Sequence, residues 1–448
     1  MADKLDLNKS NLLFMSNEQI DIESSEYGTN GEYDLLKIRQ KIEPWLTAVF
    51  QSEHLSLLIG TGLGIALTGE GGLPPRIEFA GNFGNIIKSM ADEEAKYVDR
   101  GMANFEDDLR VALDLLRGLK ILKRAKAARS LEKQVGNHLK ELLKGVAASE
   151  RKLIEKSSDK INANTSDQSD QNKSQEVFDN IIRLEKFLLS FASRTASRGR
   201  LNIFTTNYDR IIEFGLDEAG ILTIDRFIGK IKPIMRLHRI DLDYHYNPPG
   251  IRGEPRYVEG VVKYTKLHGS IDWRFEGNQV VRLPMAFGQL DEAYFENPAD
   301  EVVIYPNSSK AIETAYFPYS ELFRDFSTAI CRPNSVLVTY GYGFGDSHIN
   351  RIILDMLTVP STHLVIISYD KASGRIDKFI NKCNSSQLTL LIGDHLGEFK
   401  TLTENYLPKP AIDLITDRQA RIIEKRKLLQ EDGLNKNEDR GSGNREFA

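Results

Sequence analysis

Short runs of leucine and β-branched side chains, most of them ending at glycine or at a polar residue, constrain the fold of this 448-residue chain more than any other feature. Runs that are apolar at nearly every position are typical of strands covered on both faces, as in parallel sheets. Helical spacing follows three of the runs, so strands and helices alternate. We therefore expect an α/β fold with a doubly wound, mostly parallel sheet. The runs are 55–59, 201–206, 262–267, 302–305, 335–340, 364–369 and 388–392.

A long helical stretch interrupts this pattern. Residues 92–198 carry leucine and valine at helical spacing, which predicts a helical insertion subdomain. Within it, 157–175 has one isoleucine and no aromatic residue, and a segment that can bury so little is predicted to be a mobile loop. The predicted divisions are a polar segment with helices (1–54), a discontinuous sheet domain (55–91 and 199–405), the helical insertion (92–198), and a C-terminal helix with a disordered tail (406–448).

Composition excludes several classes of protein. Acidic residues exceed basic ones, 64 to 59, so a net charge of −5 provides no positive field for nucleic acid. The longest uncharged stretch, 55–69, contains four glycines and is too short to span a bilayer. Cys331 and Cys383 alone can form neither a disulfide framework nor a four-cysteine zinc site. The N-terminus lacks the regions of an export signal, so a cytoplasmic location is expected.

A glycine loop follows the first apolar run, at Gly60, Thr61, Gly62 and Gly64. Glycine lets the backbone approach a ligand closely, and amide groups at a helix start favour phosphate. The loop is not a complete GxGxxG, because Ile65 occupies the place of the third glycine. A phosphate-binding loop and a plain structural turn are therefore equally compatible with it.

Polar side chains follow two further strand-like runs. Thr206, Asn207 and Asp209 end one run and His268 follows the next, at the carboxyl edge where α/β sheets bind ligands. The Asn207 amide could orient a ribose or a water, and the imidazole of His268 could act as a general base. Helix capping is the alternative for Asn207 and the favoured interpretation for Asp209, and a structural histidine is the commoner role for a residue such as His268.

The most distinctive segment has alternate glycines, at Gly341, Gly343 and Gly345. They could form a backbone cradle for a diphosphate or a ribose, or could serve close packing only. Asp346 could contact the ligand or cap the helix that follows. His348 could likewise contact a ligand or belong only to the start of that helix.

Ser368 and Asp370 end the next apolar run. A carboxylate at this place in a nucleotide-binding sheet often binds a ribose diol, although Asp370 could equally cap the next helix. Both residues are candidates for cofactor binding.

In chain order these motifs resemble the SIR2 (sirtuin-like) family, and its bacterial antiphage-defence branch more closely than its histone deacylases. The resemblance implies a Rossmann-like NAD site, with the Gly60–Gly64 loop against the pyrophosphate, Asn207 beside the nicotinamide ribose and His268 as the catalytic base. The similar motifs, within 55–90 and 200–405, are Gly60–Gly62, Gly72–Pro74, TTNYD (205–209), LHGSIDW (267–273) and YGYGFGDSHIN (340–350).

The resemblance implies an enzyme that hydrolyses NAD+. Deacylating sirtuins carry a CxxC…CxxC zinc module, which two cysteines cannot supply, so no metal is expected and water becomes the expected acceptor. The implied reaction converts NAD+ to ADP-ribose and nicotinamide, as the toxic step of antiphage defence by NAD+ depletion. The alternatives are a non-catalytic subunit that binds NAD or ADP-ribose and, less favoured, an NAD-dependent protein deacylase.

An unregulated NADase would kill its host, so a gate is expected. The resemblance implies a homo-oligomer and, as a candidate partner, a HerA-like hexameric ATPase, the chain being then the SIR2 subunit of a SIR2–HerA system. Lys120–Lys133 holds six basic residues and one acid on a helical pattern, and this face could bind a partner or simply be solvated. No membrane partner and no direct contact with nucleic acid are expected.

Overall fold

The computed structural model of the protein describes residues 5–29, 32–71, 74–97, 103–158, 168–194, 198–246, 256–277, 279–295, 301–304 and 317–409. The strands are β1 (Leu12–Met15), β2 (Glu18–Ile20), β3 (Gly28–Thr29), β4 (Glu32–Tyr33), β5 (His54–Ile59), β6 (Leu201–Thr205), β7 (Leu222–Ile224), β8 (Phe227–Ile228), β9 (Ile234–Met235), β10 (His245–Tyr246), β11 (Arg256–Tyr257), β12 (Val261–Lys266), β13 (Gly269–Glu276), β14 (Gln279–Arg282), β15 (Val302–Ile304), β16 (Ser335–Tyr340), β17 (His363–Ser368) and β18 (Leu388–Ile392). The helices are α1 (Leu35–Phe50), α2 (Gly62–Thr68), α3 (Asn82–Tyr97), α4 (Phe105–Ile121), α5 (Ala125–Ser158), α6 (Gln168–Ala192), α7 (Ile211–Glu218), α8 (Tyr319–Ile330), α9 (Ser347–Met356), α10 (Arg375–Ile380) and α11 (Phe399–Thr401).

A nine-stranded sheet in the order β2-β1-β18-β17-β16-β5-β6-β12-β7 forms the centre of the molecule. The strands from β18 to β7 are parallel, and β1 and β2 add an antiparallel edge. If edge strand β7 is set aside, the parallel strands follow the order 3-2-1-4-5-6 of doubly wound dinucleotide-binding sheets. The prediction of an α/β, Rossmann-like doubly wound sheet is confirmed.

The continuous apolar runs are explained by burial on both faces of this sheet. Leu57 and Ile203 face a layer that contains α1, α6 and α7, whereas Leu58 and Phe204 face α8, α9 and α10. All four side chains are buried. Because neither face meets water, the strands show no alternation of apolar and polar residues.

The chain changes direction across the sheet between β5 and β16. From β5 it proceeds to β6 and β12 on one side, and it then returns to β16 on the other. In doubly wound folds, ligands bind beyond the carboxyl ends of the strands at such a switch point. The glycine loops at 60–64 and 341–345 follow these two strands.

A second sheet, antiparallel and in the order β15-β13-β14-β9-β8, branches from the first. Its strand β13 begins at Gly269, directly after β12 of the first sheet, and the φ of +85° at this residue favours glycine. The predicted strand at 302–305 is found at Val302–Ile304, but it belongs to this second sheet, and Tyr305 lies outside the described residues. An apolar run does not by itself specify which sheet its strand will join.

Helices α3 to α6 lie between β5 and β6. Of these, α3, α4 and the first half of α5 have a core of their own, whereas α6 packs against the main sheet. Leu109, Leu116, Leu131 and Val135 belong to one buried cluster there. The second half of α5 packs instead against the second sheet and Tyr208. Of the predicted mobile loop, residues 159–167 lie outside the described residues, and the rest belong to the end of α5 and the start of α6.

The first 54 residues, predicted as a polar segment with helices, also contribute strands to the main sheet. Strand β1 is fully buried and pairs with β18, with Leu12 opposite Ile392. Helix α1 continues through Pro44. The predicted C-terminal helix and tail beyond residue 409 lie outside the described residues. In the described part of the chain, no helix combines the length and the apolar character needed to cross a membrane.

Candidate active site at the sheet edge

Asn207 and His268 occupy equivalent places beyond two neighbouring parallel strands. Thr205 of β6 pairs with Lys266 of β12, so the residues two positions further along leave the sheet side by side. Neighbouring strands lie about 4.8 Å apart. Both side chains are buried. The two predicted catalytic residues therefore share one stretch of the carboxyl edge.

The side chain of Asn207 is only partly satisfied. Its Nδ2 donates to the carbonyl oxygen of Gly60 at 3.1 Å, and its backbone N–H donates to Thr205 Oγ1 at 3.0 Å. Its Oδ1 is buried and has no hydrogen-bond partner among the described residues. Because a buried unpaired acceptor costs about 1–3 kcal/mol, this oxygen marks a place for a donor from a ligand or a water. Asn207 does not cap α7, the alternative that the sequence left open.

His268 is held by a carboxylate from the second glycine-rich loop. Its Nε2 lies 3.0 Å from Asp346 Oδ2, and its ring centroid lies 6.3 Å from those of Tyr208 and Phe323. The other oxygen of Asp346 caps α9 by accepting from the backbone N–H of His348 at 3.0 Å. One carboxylate thus begins a helix and orients an imidazole, as the acid of a catalytic triad orients its histidine.

Asp209 binds the first backbone amide of α7, as the favoured interpretation predicts, although the N-cap position itself is Arg210. The Oδ1 atom of Asp209 accepts from the backbone N–H of Ile211 at 3.1 Å. Burial raises its pKa to about 6, against the opposing effect of the Lys266 ammonium group. That ammonium group is itself buried, donates to the backbone carbonyl of Asp209 and lies 3.2 Å from Glu213 Oε1. A direct role of Asp209 in cofactor binding stays a prediction.

The glycines of the first loop pack backbone against backbone at the switch point. The amide of Gly62 donates to the carbonyl oxygen of Gly341 at 3.0 Å, and the amide of Gly60 donates to that of Tyr340 at 3.0 Å. A Cβ atom on Gly62 would lie 2.5 Å from the Gly341 Cα. Gly341 itself has a φ of +59°. Close packing therefore explains Gly60, Gly62 and Gly341, whereas a Cβ on Gly64 would make ordinary contacts only.

The rest of the second glycine-rich loop is held by side chains of α10. Arg375 Nε donates to the carbonyl oxygen of Gly343 at 2.7 Å, and the Phe344 ring packs on Phe379 at 4.6 Å. A Cβ on Gly345 would make an ordinary contact with Arg375. In the helix that follows, the Nδ1 atom of His348 is 3.1 Å from a guanidinium nitrogen of Arg351.

Ser368 and Asp370 lie away from Asn207. Their strand, β17, is three strands from β6, a separation of roughly 14 Å. Ser368 Oγ donates to the backbone carbonyl of Asp370, and Asp370 Oδ1 accepts from the N–H of Ala372, both at 2.7 Å. Asp370 is exposed and shapes its own loop. Thr206 lies beside Asn207, and its backbone N–H donates to the carbonyl oxygen of Ile59. The structure thus gathers the candidates in two groups rather than one.

A buried ion pair that the sequence did not reveal supports the Asn207 loop. Glu150, in α5, pairs with Arg210, with Oε2 2.6 Å from a guanidinium nitrogen and Oε1 2.7 Å from the backbone N–H. Glu150 also accepts from the N–H of Gly288 at 2.9 Å. In addition, the hydroxyl of Tyr208 donates to Glu106 Oε1, in α4, at 2.8 Å. A single glutamate in a lysine-rich helix carries no sequence signal, but the arginine directly after TTNYD could have been singled out.

The fold and the site together define a class of protein. A doubly wound sheet of this strand order, with polar side chains beyond its carboxyl ends, is the architecture of dinucleotide-binding α/β proteins. In a comparison with protein-family models, residues 201–388 match the SIR2-like domain. The match covers less than half of the chain and shows that this segment is similar to a SIR2-like domain. SIR2-like domains use NAD+, so the match is consistent with an NAD-utilising enzyme.

The matched span contains Asn207, His268, Asp346 and Asp370 but not the Gly60–Gly64 loop. Of the Gly72–Pro74 motif, only Pro74 lies in the described residues. No curated protein matches the chain. Within the described ranges, no three histidine, cysteine, aspartate or glutamate side chains come together as a metal site.

Proposed function

We propose that the chain is an NAD+ glycohydrolase, which cleaves NAD+ to ADP-ribose and nicotinamide. The observation that carries this proposal is the buried, unpaired Oδ1 of Asn207, next along the sheet edge to a histidine that Asp346 orients. A ribose hydroxyl or the attacking water would supply the missing donor. The match to the SIR2-like domain over both residues supports NAD+ as the nucleotide.

The proposed reaction needs little more than these groups. The bond between the ribose C1′ and the nicotinamide nitrogen breaks, nicotinamide leaves with the electron pair, and the ribose becomes oxocarbenium-like. Water adds to C1′ and gives up a proton. With Nε2 of His268 directed at Asp346, Nδ1 is the nitrogen that would receive this proton. Asn207 would hold the ribose or the water in the reacting position.

The remaining polar groups of the edge are candidates for holding NAD+. The amides of Gly60, Gly62 and Leu63 already donate within the protein, so a pyrophosphate contact from this loop would fall to Thr61. The loop from Gly343 to Asp346 and the Ser368–Asp370 turn would bind the more distant part of the nucleotide. A single dinucleotide is long enough to contact both groups of residues.

We further propose that the activity depletes NAD+ in antiphage defence and is gated by homo-oligomerisation or by a partner such as a HerA-like ATPase. The helical insertion offers a physical route for such control, because Glu150 of α5 and Glu106 of α4 both hold the loop that carries Asn207. A protein bound to these helices would act on the site through two hydrogen-bonded contacts.

The proposal is tested by incubating the purified chain with NAD+, alone and with the candidate ATPase, and measuring nicotinamide by chromatography. Asn207→Ala should lower the rate at least ~100-fold, because it removes a group that orients the reacting atoms. Asn202→Ala is the matched control, since Asn202 is a buried asparagine at the opposite end of the same strand.

Thermal unfolding should show that both variants are folded. An Asn207→Ala protein as active as the parent would refute the assignment. Tight NAD+ binding by the parent without any nicotinamide release, in both preparations and in cells assayed for NAD+ depletion, would favour the non-catalytic binding subunit instead.

A further inference from the structure

The turn between α4 and α5 forms a basic tip, which we define as residues 117–129. This stretch contains six basic residues and no acid, and all six are exposed. At its centre, Ile121 and Leu122 have exposed fractions of 71% and 69%. Lys120 pairs with Glu132 at 2.7 Å. The other basic residues, which surround the apolar pair, are Arg117, Lys123, Arg124, Lys126 and Arg129.

A second surface has the opposite charge and also carries an apolar pair. The acidic face, defined as residues 18–36, runs from edge strand β2 to the start of α1. It contains six acids and no base, and five of the acids are exposed. Residues 30 and 31, which lie outside the described ranges, are uncharged. At its end, Leu35 and Leu36 have exposed fractions of 40% and 64%.

The acidic face is tied together and keeps most of its charge. Lys37 pairs with Asp34 at 3.5 Å and donates to the carbonyl oxygen of Glu26 at 3.0 Å, which joins the loop to the start of α1. At the margin of the face, Lys9 pairs with Asp21 at 2.9 Å. The acids that carry the remaining charge are Glu18, Glu23, Glu26 and Glu32.

The two surfaces are complementary but do not cover each other within one chain, because Ile121 and Leu36 are both mostly exposed. An exposed leucine alone is ordinary. Two apolar pairs inside rings of opposite charge are different, since joining them would give an apolar centre and a charge-matched rim, as in protein interfaces. An anionic membrane would suit the basic tip only and would repel the acidic face.

We propose that the basic tip of one copy docks on the acidic face of a second copy of this chain. Because the two surfaces differ, the contact is head to tail, and each copy can bind two neighbours. This contact gives surfaces to the homo-oligomer of the proposed function, and it rests on that part of the proposal and not on NAD+ hydrolysis. The helices of the tip carry Glu106 and Glu150, so the neighbouring copy would contact elements that hold the Asn207 loop.

The test measures self-association of the full chain by sedimentation velocity at low salt, where attraction between exposed charges is strongest. Lys123→Glu with Lys126→Glu reverses the tip, and Glu26→Lys with Glu32→Lys reverses the face. Each reversal should raise the dissociation constant at least ~10-fold, because like charges then meet across the contact. An equimolar mixture of the two reversed proteins should reassemble, since the tip of each again matches the face of the other.

The matched control for the reversed tip is Lys186→Glu with Lys382→Glu. Both lysines are exposed and lie outside the tip and the face, and the change in net charge is the same. This variant should keep the dissociation constant of the parent within about twofold. Thermal unfolding of each variant confirms that it is folded.

Dissociation of both reversed proteins, an unaffected control and recovery in the mixture support the proposal. An oligomeric parent that survives either reversal, an equal loss in the control, or a mixture that does not reassemble would overturn it while leaving the homo-oligomer in place. A monomeric parent would overturn both, and binding of that monomer to phosphatidylserine vesicles, lost on reversal of the tip, would assign the tip to a membrane instead. None of these readouts depends on nicotinamide release, so a failure of the NAD+ proposal would not be mistaken for a failure of this one.

Discussion

The carboxyl edge of the sheet has two halves that use their conspicuous residues differently. At the switch point between β5 and β16, the glycines Gly60, Gly62 and Gly341 let two backbones touch, and their amides donate to backbone carbonyls. Beyond β6 and β12, Asn207 and His268 bring buried polar side chains together, one of them with an unpaired oxygen. The glycine motif therefore has a sufficient structural reason, whereas the polar motif does not.

This difference changes how the motifs should be ranked. A glycine that a neighbouring backbone requires would be retained in a protein with no ligand at all. A buried acceptor without a partner destabilises the folded chain, and its presence calls for a ligand or a water. The polar half of the edge is thus the stronger indicator of function, although the glycine loops are easier to recognise.

The largest effect should come from the polar half. His268→Ala should lower nicotinamide release about 10²–10⁴-fold, because that is the usual contribution of a general base. Its thermal unfolding should change far less than its rate, since the site and not the core is altered. The rate with saturating NAD+ is the measurement.

His238→Ala is the control for this variant, since His238 is exposed in a short 3₁₀ helix and lies outside both halves of the edge. A His268→Ala protein that keeps the parent's rate would show that the imidazole is a buried structural group, which is the commoner role for a histidine at such a position.

The glycine half should respond in stability. Gly62→Ala should lower the free energy of unfolding by about 1–3 kcal/mol, because its Cβ would lie 2.5 Å from the Gly341 Cα and the two backbones would have to separate. Gly64→Ala is the matched control two residues away in the same helix, where the new Cβ meets only ordinary contacts. There alanine should raise stability, by up to about 1 kcal/mol.

Urea unfolding measures both changes. Equal effects of the two substitutions would mean that the first loop is not held by its contact with Gly341. A Gly62→Ala protein of undiminished stability but without activity would instead indicate a direct role for this glycine in ligand binding.

The fold could be predicted because its strands are apolar on both faces. A strand buried on both faces reads as a continuous apolar run, and each run ends where the strand reaches solvent or a loop. Strand β1 was missed since four apolar residues near a terminus are too few to distinguish a strand from a loop. The second sheet was missed because β8 and β9 have two residues each, which is too short to show the alternation of apolar and polar residues that marks a strand.

The candidate site was predictable in its residues but not in its contacts. Strand ends and polar residue types indicated Asn207 and His268. Neither the pairing of His268 with Asp346 nor that of Arg210 with Glu150 follows from the sequence, because 78 and 60 residues separate the partners. Only the three-dimensional arrangement distinguishes an aspartate that caps a helix from one that also orients a histidine.

The smallest expected effect is a change in stability with pH, caused by the buried carboxyl group of Asp209 in the polar half. Burial raises the pKa of Asp209 from 3.8 to about 6, with Glu150 and Glu213 adding to the rise and Lys266 opposing it. The folded state therefore holds the proton more tightly than the unfolded chain does. The stability that this carboxyl group contributes is present in full below about pH 4 and is lost as the pH rises through about 6.

Asp209→Asn keeps an oxygen that can accept from Ile211 but cannot ionise, so the variant should be more stable than the parent at pH 8, by on the order of 1 kcal/mol, and this gap should close by pH 4. Asp370→Asn is the matched control, since Asp370 makes the same kind of turn with Ala372 but is exposed. Its free energy of unfolding at each pH provides the baseline for the Asp209→Asn protein. Urea unfolding at pH 4, 6 and 8 measures all three proteins. If the gap at Asp209 stays constant with pH, the carboxylate is solvated in the folded protein, and the two halves of the edge do not differ in their electrostatics.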